Sequence, residues 1–559
     1  MKNKILISGI AAVLTAGMFA SCSSDYLQVD PVTEVSSATV QNTPEGAQSA
    51  MNGLCGAMFT IYSDFANNLL PNGEGTLMIF YGDVMGQDYF SYFFEKRAPF
   101  VMTLNRFRDN QTWLCAYPWG YCYNLIAQAN TILQGVDGIT TEVEKMQFIK
   151  AQALTIRAHA YFRLLQLYAP RWEDSRNGEK MVLPLRTDPG TSEMPLSSMN
   201  DVLALIYSDL DTAIEIFENN SNYRNNIFEP DEDVARGVYA RTAMLKHDYV
   251  LAEQMAHDSR KNGRYPIMSK EEYKGGFAEP NDEWMWGNDP DKERVGYWSN
   301  GAWYACNGAY IDWNNGCGTI NYELYRQIPK GDVRAELFFT PDKLTGNQLS
   351  IAAFWNDKIC SPSSMSLVGN INMQNQYRRF GRSVIPDGNQ TKWSIPYQSR
   401  LQGHAECAVF FGSQYKFWGI DDYGTDSWPF MRGAEMLLTE AEAACYNGHE
   451  EVAKALLLEL NAKRNDNYTC NKSGDALLAE VKLQRRIELW GEGHNFFDLK
   501  RWNEPIIRTA WKKGDITSNN IPQSNVINFL PTDQGGWRWM IPLSELQYNA
   551  AIDQSLLVQ

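Results

Sequence analysis

Two short stretches with the same layout decide the fold: LKHDYVLA at residues 245–252 and YNGHEEVA at residues 446–453. In each, a helical stripe ends, a short polar turn follows, and an alanine opens a second helical stripe. The small alanine lets two helices approach closely, as in a tetratricopeptide unit. Because one pair cannot bury its apolar face alone, such pairs stack. The pattern predicts a mainly α fold, a superhelix of tetratricopeptide-like helix pairs.

The sequence before these stretches has the same helical periodicity. Within DVLALIYSDLDTAIEIF (201–217), apolar residues recur at steps of three and four, which places them on one side of a helix. Ser197, Ser198 and Asn200 precede this stretch, and these residue types cap helix N-termini well. Residues 154–168 repeat the apolar pattern, and a proline soon after ends it. The first half of the chain is therefore predicted to be helical.

Between residues 266 and 430 the helical periodicity fades. Gly, Asn, Asp, Trp and Tyr dominate there, as in SNGAWYACNGAYIDWNNGCG (299–318). Gly and Asn favour turns, while aromatic and β-branched residues favour short strands. We predict one domain over 41–559, with a helical frame at about 41–265 and 431–559. A loop-rich, ligand-binding insertion with short strands fills the gap at about 266–430.

Composition excludes several classes of function. The chain has 559 residues, a formal net charge of -16, 44% apolar residues and only 21% charged residues. That balance is typical of a globular protein and not of a disordered one. The acidic charge argues against nucleic-acid binding, which needs a basic face, and against electrostatic docking on anionic lipid.

The amino terminus resembles the start of an exported lipoprotein. Two lysines precede the uncharged apolar run Ile5–Phe19, which is shorter than the ~20 residues of a spanning helix. FASC (19–22) then resembles a bacterial lipobox. We predict a signal peptide over 1–21, a lipid on Cys22 and a polar tether over 22–40. The alternative is ordinary signal cleavage nearby, with an incidental cysteine.

Nine further cysteines follow Cys22, an odd number that cannot all pair within the chain. Cys306 and Cys317 flank an aromatic loop and could be bridged, whereas most of the others are equally well explained as small buried apolar residues. No CxxC occurs, which argues against a zinc knuckle or a thioredoxin-type redox site. The sequence predicts no cofactor and no metal site. It leaves structural calcium open, because Asp and Asn are plentiful but no EF-hand spacing occurs.

Several stretches, in order along nearly all of the predicted mature chain, resemble the SusD/RagB family of outer-membrane lipoproteins. The resemblance implies four tetratricopeptide-like helix pairs supporting an irregular ligand-binding region. It also implies a partner, a SusC-type TonB-dependent outer-membrane barrel over which the lipoprotein sits as a lid, and it implies no catalysis. The stretches are CSSDYLQVDP (22–31), WGYCYNLIAQANTIL (119–133), AQALTIRAHAYFRLLQLYA (151–169), DVLALIYSDLDTAIE (201–215), NDEWMW (281–286), FMRGAEMLLTEAEA (430–443), RRIELWGEGHNFFDLKRW (485–502) and WMIPLSELQYN (539–549).

The charged residues of the 485–502 stretch have two interpretations. Arg and Glu at such spacings pair along or between helices, which favours a structural role. Alternatively, Glu488, Glu492 and Asp498 could be the paired carboxylates of a glycosidase. We favour the structural interpretation, because the segment is dense in aromatic and basic residues and nothing in the sequence marks a cleft.

A glycan site needs exposed aromatic rings among polar residues, preferably on loops. Rings stack on the C–H face of a sugar, and amides and carboxylates bind its hydroxyl groups. Two regions fit this description, and the family builds its ligand surface from the corresponding parts of the chain. The alternative is that these rings are core residues or pack against the barrel. The candidates are Trp298, Trp303, Tyr304, Asn307 and Trp313 in the central loop, and Asp83, Gln87, Asp88, Tyr89, Tyr92 and Trp113 after the first helix.

The predicted function is glycan capture at the outer surface of the outer membrane and delivery to the barrel partner. Peptide capture by the same architecture and a lid without a ligand of its own are the alternatives. An enzyme is disfavoured, because the chain lacks HExxH, GxSxG, Walker and GxGxxG motifs. The aromatic rings of the helical stretches are predicted to be core residues instead. These are Trp119, Tyr123, Tyr161, Trp490 and Trp502.

Overall fold

Helices dominate the computed structural model, as the sequence predicts. In the described part of the chain each long helix packs on the next long helix in chain order. The structure describes residues 43–60, 62, 73–91, 104, 109–190, 192–275, 277, 279–288, 307–308, 318–338, 412, 414, 416–419, 427–530 and 537–558. The α-helices are α1 Pro44–Ala57, α2 Gly73–Thr76, α3 Trp113–Val136, α4 Val143–Tyr168, α5 Met199–Glu218, α6 Glu232–Lys246, α7 Tyr249–Asp258, α8 Lys270–Gly275, α9 Tyr322–Tyr325, α10 Gly433–Tyr446, α11 Glu450–Asn461, α12 Gly474–Glu488, α13 Asn495–Trp502 and α14 Leu543–Tyr548.

The strands are short and form two-stranded ladders. Four ladders are antiparallel (β1 with β6, β2 with β3, β4 with β8, β9 with β10), and β5 pairs with β7 in parallel. A buried π-helix, Leu77–Val84, continues α2. The strands are β1 Tyr89–Ser91, β2 Met181–Pro184, β3 Leu196–Ser198, β4 Trp284–Asn288, β5 Asn307–Gly308, β6 Gly318–Ile320, β7 Trp418–Gly419, β8 Trp428–Arg432, β9 Ile506–Arg508 and β10 Ile527–Phe529.

Helix α5 begins where the sequence predicts. The Ser198 hydroxyl accepts a hydrogen bond from the Asp201 N–H at 3.1 Å, and the Asp201 carboxylate accepts one from the Ser198 N–H at 3.2 Å. This reciprocal capping box satisfies two of the N–H groups that a helix start leaves unpaired. The apolar side of α5, including Val202, Ile206 and Leu210, is buried.

The two repeated stretches form the predicted helix pairs. Residues 245–252 end α6 and begin α7, and residues 446–453 do the same for α10 and α11. The two turns use left-handed residues, His247 at φ 62° and Gly448 at φ 78°. The pairs also pack on each other, because the Tyr249 and Tyr446 rings stack at 4.0 Å between centroids. The stacking of pairs expected from a tetratricopeptide-like frame is therefore present.

Helix α4 forms the centre of the frame. Every residue from Ala151 to Leu165 is buried, so this helix is covered on all sides. A helix that is buried all round belongs to the core of a large protein. Its two buried arginines are paired: the Arg157 guanidinium binds the buried Asp209 carboxylate at 2.6 Å, and Arg163 binds Glu74.

Candidate functional site

The structure brings together the two regions that the sequence predicts to bind ligand. Strand β1, which lies in the first region, pairs antiparallel with β6, which directly follows the aromatic central loop. Tyr89 lies opposite Ile320, and Ser91 lies opposite Gly318. Because the pairing is antiparallel, the chain leaves Ser91 toward Tyr92 at the same end of the ladder from which the central loop enters Gly318.

Asp88 is held in the interior below this ladder by side chains of the 485–502 stretch. The Arg486 guanidinium binds both Asp88 carboxylate oxygens, at 2.7 and 2.8 Å. The Asn495 side-chain amide donates to Asp88 Oδ2 at 2.5 Å, and the Trp490 indole donates to the Asp88 carbonyl at 2.8 Å. Asp88 is 2% exposed. A buried carboxylate with a bidentate partner fixes the position of its segment.

The backbone of residues 84–88 is also held by distant side chains. The Asn495 side-chain oxygen Oδ1 accepts from the Gln87 N–H at 2.7 Å and from the Asp88 N–H at 3.2 Å. Arg508 donates to the carbonyl of Gly86 at 2.9 Å and to that of Val84 at 2.5 Å. We call Arg486, Trp490, Asn495 and Arg508 the clamp. The clamp supplies backbone hydrogen bonds that this irregular segment cannot make within itself.

Tyr89 is fully buried and stacks on a clamp residue. Its ring lies 5.2 Å from the Trp490 ring at an interplanar angle of 26°, and Phe338 meets the same indole edge-on at 4.9 Å. Aromatic contacts of this kind contribute roughly 0.5–1.5 kcal/mol beyond the area they bury. The ladder therefore rests on an aromatic layer.

Asp83 is also buried, and it binds a backbone N–H group of the 485–502 stretch. Its carboxylate accepts a hydrogen bond from the Gly493 N–H at 2.6 Å. Burial raises the pKa of Asp83 to about 8, against the opposing effect of that hydrogen bond. Gly82 and Gly493 approach so closely that a side chain at Gly82 would collide with the Gly493 backbone. Glycine is required at Gly82 for this close packing.

These positions correct part of the site prediction. The sequence places Asp83, Asp88 and Tyr89 at a ligand surface, but the structure buries all three against partners in the 485–502 stretch. Gln87 is half-buried, and its side-chain oxygen accepts from the Ile507 N–H at 3.2 Å. Polar and aromatic density indicated a surface here because the partners lie about 400 residues away and cannot be seen locally.

The remaining candidates divide into two groups. Trp113 begins α3, half-buried, with its ring edge-on to Phe80 at 6.0 Å. Asn307 lies in β5, but its side chain is outside the described part of the structure. The other candidates lie outside the described residues and stay predictions. They are Trp298, Trp303, Tyr304, Trp313, Tyr92 and the lipidation site Cys22.

A buried charge cluster joins the start of β4 and the end of β8 to the end of α12. The Arg432 guanidinium binds Glu283 at 2.7 Å, Glu488 at 3.0 Å and Glu492 at 2.7 Å. Arg464 also binds Glu488, at 2.9 Å. Burial alone would raise the pKa of Glu488, but the facing guanidinium groups hold it well below its usual range. Sequence analysis missed this cluster, because its members come from separate parts of the chain.

The same contacts decide between the two interpretations of the carboxylates in the 485–502 stretch. Glu488 and Glu492 are buried in the cluster, and Asp498 binds Arg485 at 2.7 Å and Arg501 at 2.9 Å. Carboxylates held in this way serve structure, which supports the interpretation favoured from sequence.

Of the five aromatic rings predicted to be core residues, three are buried, and Tyr123 and Trp502 are half-buried against the core. The buried three are Trp119, Tyr161 and Trp490.

The predictions about cysteines, metal sites and membrane spans can be compared with the described residues only. Cys55, Cys115 and Cys122 are buried, and Cys445 and Cys470 are half-buried. Cys306 and Cys317 lie outside the described residues. In the part of the chain that is described, no group of three His, Cys, Asp or Glu residues is arranged to hold a metal ion. Across those same residues, no helix is both long and apolar enough to cross a bilayer.

The described residues form stacked helix pairs with short two-stranded ladders, and comparison with known proteins identifies the family. A model described as "SusD family" matches residues 295–556, and one described as "Starch-binding associating with outer membrane" matches residues 83–243. The chain belongs to the SusD/RagB family. Neither matching model describes a catalytic family.

Individual relatives agree over nearly the whole chain. A SusD-like protein of Bacteroides ovatus is 21% identical over 534 residues, which cover 90% of this chain and 83% of the relative. The crystal structure of a SusD-like carbohydrate binding protein from Bacteroides vulgatus is 20% identical, covers 92% of this chain and 98% of its own, and has a TM-score of 0.68. A SusD superfamily protein from Bacteroides thetaiotaomicron is also 20% identical, covers 91% and 99%, and has a TM-score of 0.66. The solved structures confirm the fold.

Proposed function

We propose that the protein is a cell-surface glycan-binding lipoprotein, which captures oligo- or polysaccharide and delivers it to a SusC-like TonB-dependent barrel. Family membership supports carbohydrate binding at the outer membrane, since one matching family is described as starch-binding and associated with that membrane. The signal peptide and the lipid on Cys22 are parts of the same proposal. So is the division of the chain into a helical frame and an insertion over about 266–430.

The observation that carries the proposal is the ladder between β1 and β6. It joins two regions of the chain that are both rich in aromatic and polar residues. Tyr92 directly follows Ser91, and Trp313 precedes Gly318 by five residues, which is about 18 Å at full extension. Ser91 and Gly318 are opposite each other, so both rings are attached at one end of one ladder.

The frame below the ladder supplies rigidity. The clamp and the aromatic layer of Trp490 and Phe338 hold β1 from beneath. A binding site is most precise when rigid elements support the loops that carry it. Since Asp83, Asp88 and Tyr89 are buried, and Gln87 and Trp113 are half-buried against Ile507 and Phe80, the ligand-contacting set that we propose is smaller than the sequence-based one. It consists of Trp298, Trp303, Tyr304, Asn307, Trp313 and Tyr92.

A triple substitution tests the site. We expect Trp298→Ala, Trp303→Ala and Trp313→Ala together to weaken glycan binding at least about a hundredfold, because each stacked ring contributes on the order of 1 kcal/mol or more. The measurement is isothermal titration of the full mature chain against a panel of poly- and oligosaccharides, alongside thermal unfolding. The matched control replaces the exposed rings Tyr223 and Tyr548, which are 81% and 83% exposed, by alanine.

The outcomes of that experiment separate the alternatives. Lost binding with an unchanged melting temperature supports the proposal, whereas a collapsed melting temperature would mean that the three indoles are core residues. Binding to a peptide mixture and to no glycan would replace the glycan by a peptide. No binding to either class by the folded wild-type chain would leave the lid without a ligand.

The partner and the anchor need separate tests. A tagged chain purified from its native outer membrane in mild detergent should bring a TonB-dependent barrel with it in a fixed ratio. Purification without a barrel would contradict the delivery step. The variant Cys22→Ala should fail to incorporate labelled fatty acid and should leave the membrane fraction.

A further inference from the structure

A cavity lined by charged side chains lies inside the helical frame, outside the proposed glycan site. Helices α4, α6, α10, α12 and α13 all contribute to its walls, and its volume is about 70 Å³. Several residues of the lining, among them Gln166, Pro170, Arg171 and Trp172, are half-buried, so the cavity is partly open to solvent. The helix pairs do not fill the centre of the frame at this point.

The charges around the cavity are unevenly placed. Six cationic side chains line it against two carboxylates, Glu435 and Asp498. Both of these carboxylates are already bound by guanidinium groups. Further carboxylates outside the lining pair with three of its arginines: Glu74 with Arg163, Glu442 with Arg501, and both Glu173 and Asp174 with Arg171. The lining cations are Arg163, Arg171, Arg241, Arg485, Lys500 and Arg501.

Arg241 has donor capacity that its neighbours leave unused. Its Nε and Nη2 bind the two Glu435 oxygens at 2.7 and 2.6 Å, and Nη2 also donates to the Phe430 carbonyl. Nη1, on the other edge of the guanidinium, is buried and has no hydrogen-bond partner among the described residues. The side chain is 7% exposed. A buried guanidinium nitrogen without an acceptor is costly, so a ligand oxygen there would relieve a penalty.

Lys500 is the second cation of this kind. Its ammonium donates to the carbonyls of Gln166 at 2.6 Å and Ala169 at 2.8 Å, and in the described part of the chain no carboxylate forms an ion pair with it. Burial, with the positive charges of Arg538 and Arg171, lowers the pKa of Lys500 to about 7. An ammonium has three donors, so one remains beyond the two carbonyls.

We propose that this cavity binds a small oxyanion of the sulfate, phosphate or carboxylate type, with Arg241 Nη1 and the Lys500 ammonium as its principal donors. The volume limits the ligand, because a cavity of about 150 Å³ is what a benzene molecule needs. A whole sugar ring with its hydroxyl groups is therefore too large. The ligand is a free small anion, and the site is separate from the glycan surface.

Isothermal titration with sodium sulfate at pH 8 tests the site, with sodium chloride at equal ionic strength in the reference. We expect wild-type binding, weakened at least about tenfold in Arg241→Lys and in Lys500→Met, since a charge-assisted hydrogen bond contributes about 1.5–3 kcal/mol. Arg241→Lys keeps a cation beside Glu435 and so protects the fold. Lys454→Met, on the solvent side of α11, is the matched control and should bind as the wild type does.

Proton uptake gives a second readout that a purely structural role would not produce. An anion beside Lys500 favours its charged form, so sulfate binding at pH 8 should take up protons. The binding enthalpy should therefore depend on the ionisation enthalpy of the buffer in the wild type and not in Lys500→Met. Parallel titrations with phosphate, acetate and glucuronate identify the anion, and glucuronate should bind weakest because of its ring.

Two results would overturn the proposal. One is that the folded wild-type chain binds none of these anions above the chloride reference. The other is that Arg241→Lys and Lys500→Met bind sulfate as tightly as Lys454→Met does, which would place the anion elsewhere on the surface.

Discussion

Helix α5 and the segment Gly82–Ser91 differ in how much of their structure can be predicted from the local sequence. In α5 the apolar period, the cap and the buried side all follow from residues within one stretch. In Gly82–Ser91 the polar and aromatic residues indicate a ligand surface, yet Asp83, Asp88 and Tyr89 are buried. The difference is the distance to the partners, which is a few residues in α5 and about 400 residues in the segment.

The largest loss of stability is expected in the buried charge cluster around Arg432. Arg432→Met removes the common partner of Glu283, Glu488 and Glu492, and it leaves the buried Glu283 without an ion-pair partner among the described residues. We expect a loss of about 3–5 kcal/mol in the free energy of unfolding. Denaturant unfolding followed by tryptophan fluorescence measures it. The exposed-pair variant Lys454→Met should change stability by less than about 0.5 kcal/mol. Equal losses in both variants would contradict the structural role of the cluster.

The next effect is expected at the clamp. Asn495→Ala removes the acceptor of two backbone N–H groups and a donor to the Asp88 carboxylate. We expect a cost of about 2–3 kcal/mol, because buried polar groups lose their partners. Hydrogen exchange should accelerate in residues 82–91 and not in α5. Unchanged protection of residues 82–91 would show that the segment holds its position without the clamp.

A pH-dependent effect separates Asp83 from a ligand-facing carboxylate. Its pKa is about 8 in the folded chain and about 4 in the unfolded one, so unfolding releases a proton between these values. The wild type therefore loses stability as the pH rises through this range, and Asp83→Asn does not. We expect the variant to gain about 1.4 kcal/mol relative to the wild type between pH 6 and pH 7. Stability curves that stay parallel would place the ionised form of Asp83 in the folded chain.

The smallest loss of stability is expected at the N-terminal cap of α5, the local feature that sequence predicts best. Ser198→Ala removes the side-chain acceptor that caps α5 and should cost about 1 kcal/mol. Ser208→Ala, at an exposed position inside the same helix, is the control and should leave the melting temperature nearly unchanged. If both variants melt alike, the cap contributes nothing measurable.

The fold could be predicted from sequence because the signals that specify a helix pair lie in neighbouring residues. The steps of three and four in residues 201–217, the turns at 245–252 and 446–453, and the apolar repeat of α4 each depend on nearby residues alone. The structural role of Glu488 was also within reach, since its arginine-rich surroundings pointed to ion pairs. Its actual partners, Arg432 and Arg464, were not, because nothing in a stretch of sequence names a partner outside it.

The candidate site could be predicted only by region. The pairing of β1 with β6 agrees with the joint selection of the first segment and the central loop. Which side chains face outward depends on the clamp residues. The number of polar and aromatic residues in a segment does not show whether such distant residues bind it. Trp490 gave one usable signal, since a tryptophan in a helical, basic stretch was expected in the core and lies there, 2% exposed.

The contact between Asp83 and Gly493 has a consequence for the order in which the molecule is completed. These residues are 410 positions apart. At a synthesis rate of about 5–20 residues per second, the later partner emerges roughly 20–80 s after the earlier one. Throughout that interval the π-helix Leu77–Val84 lacks the surface that covers it, so the nascent chain depends on being kept from aggregation until its last quarter has been made.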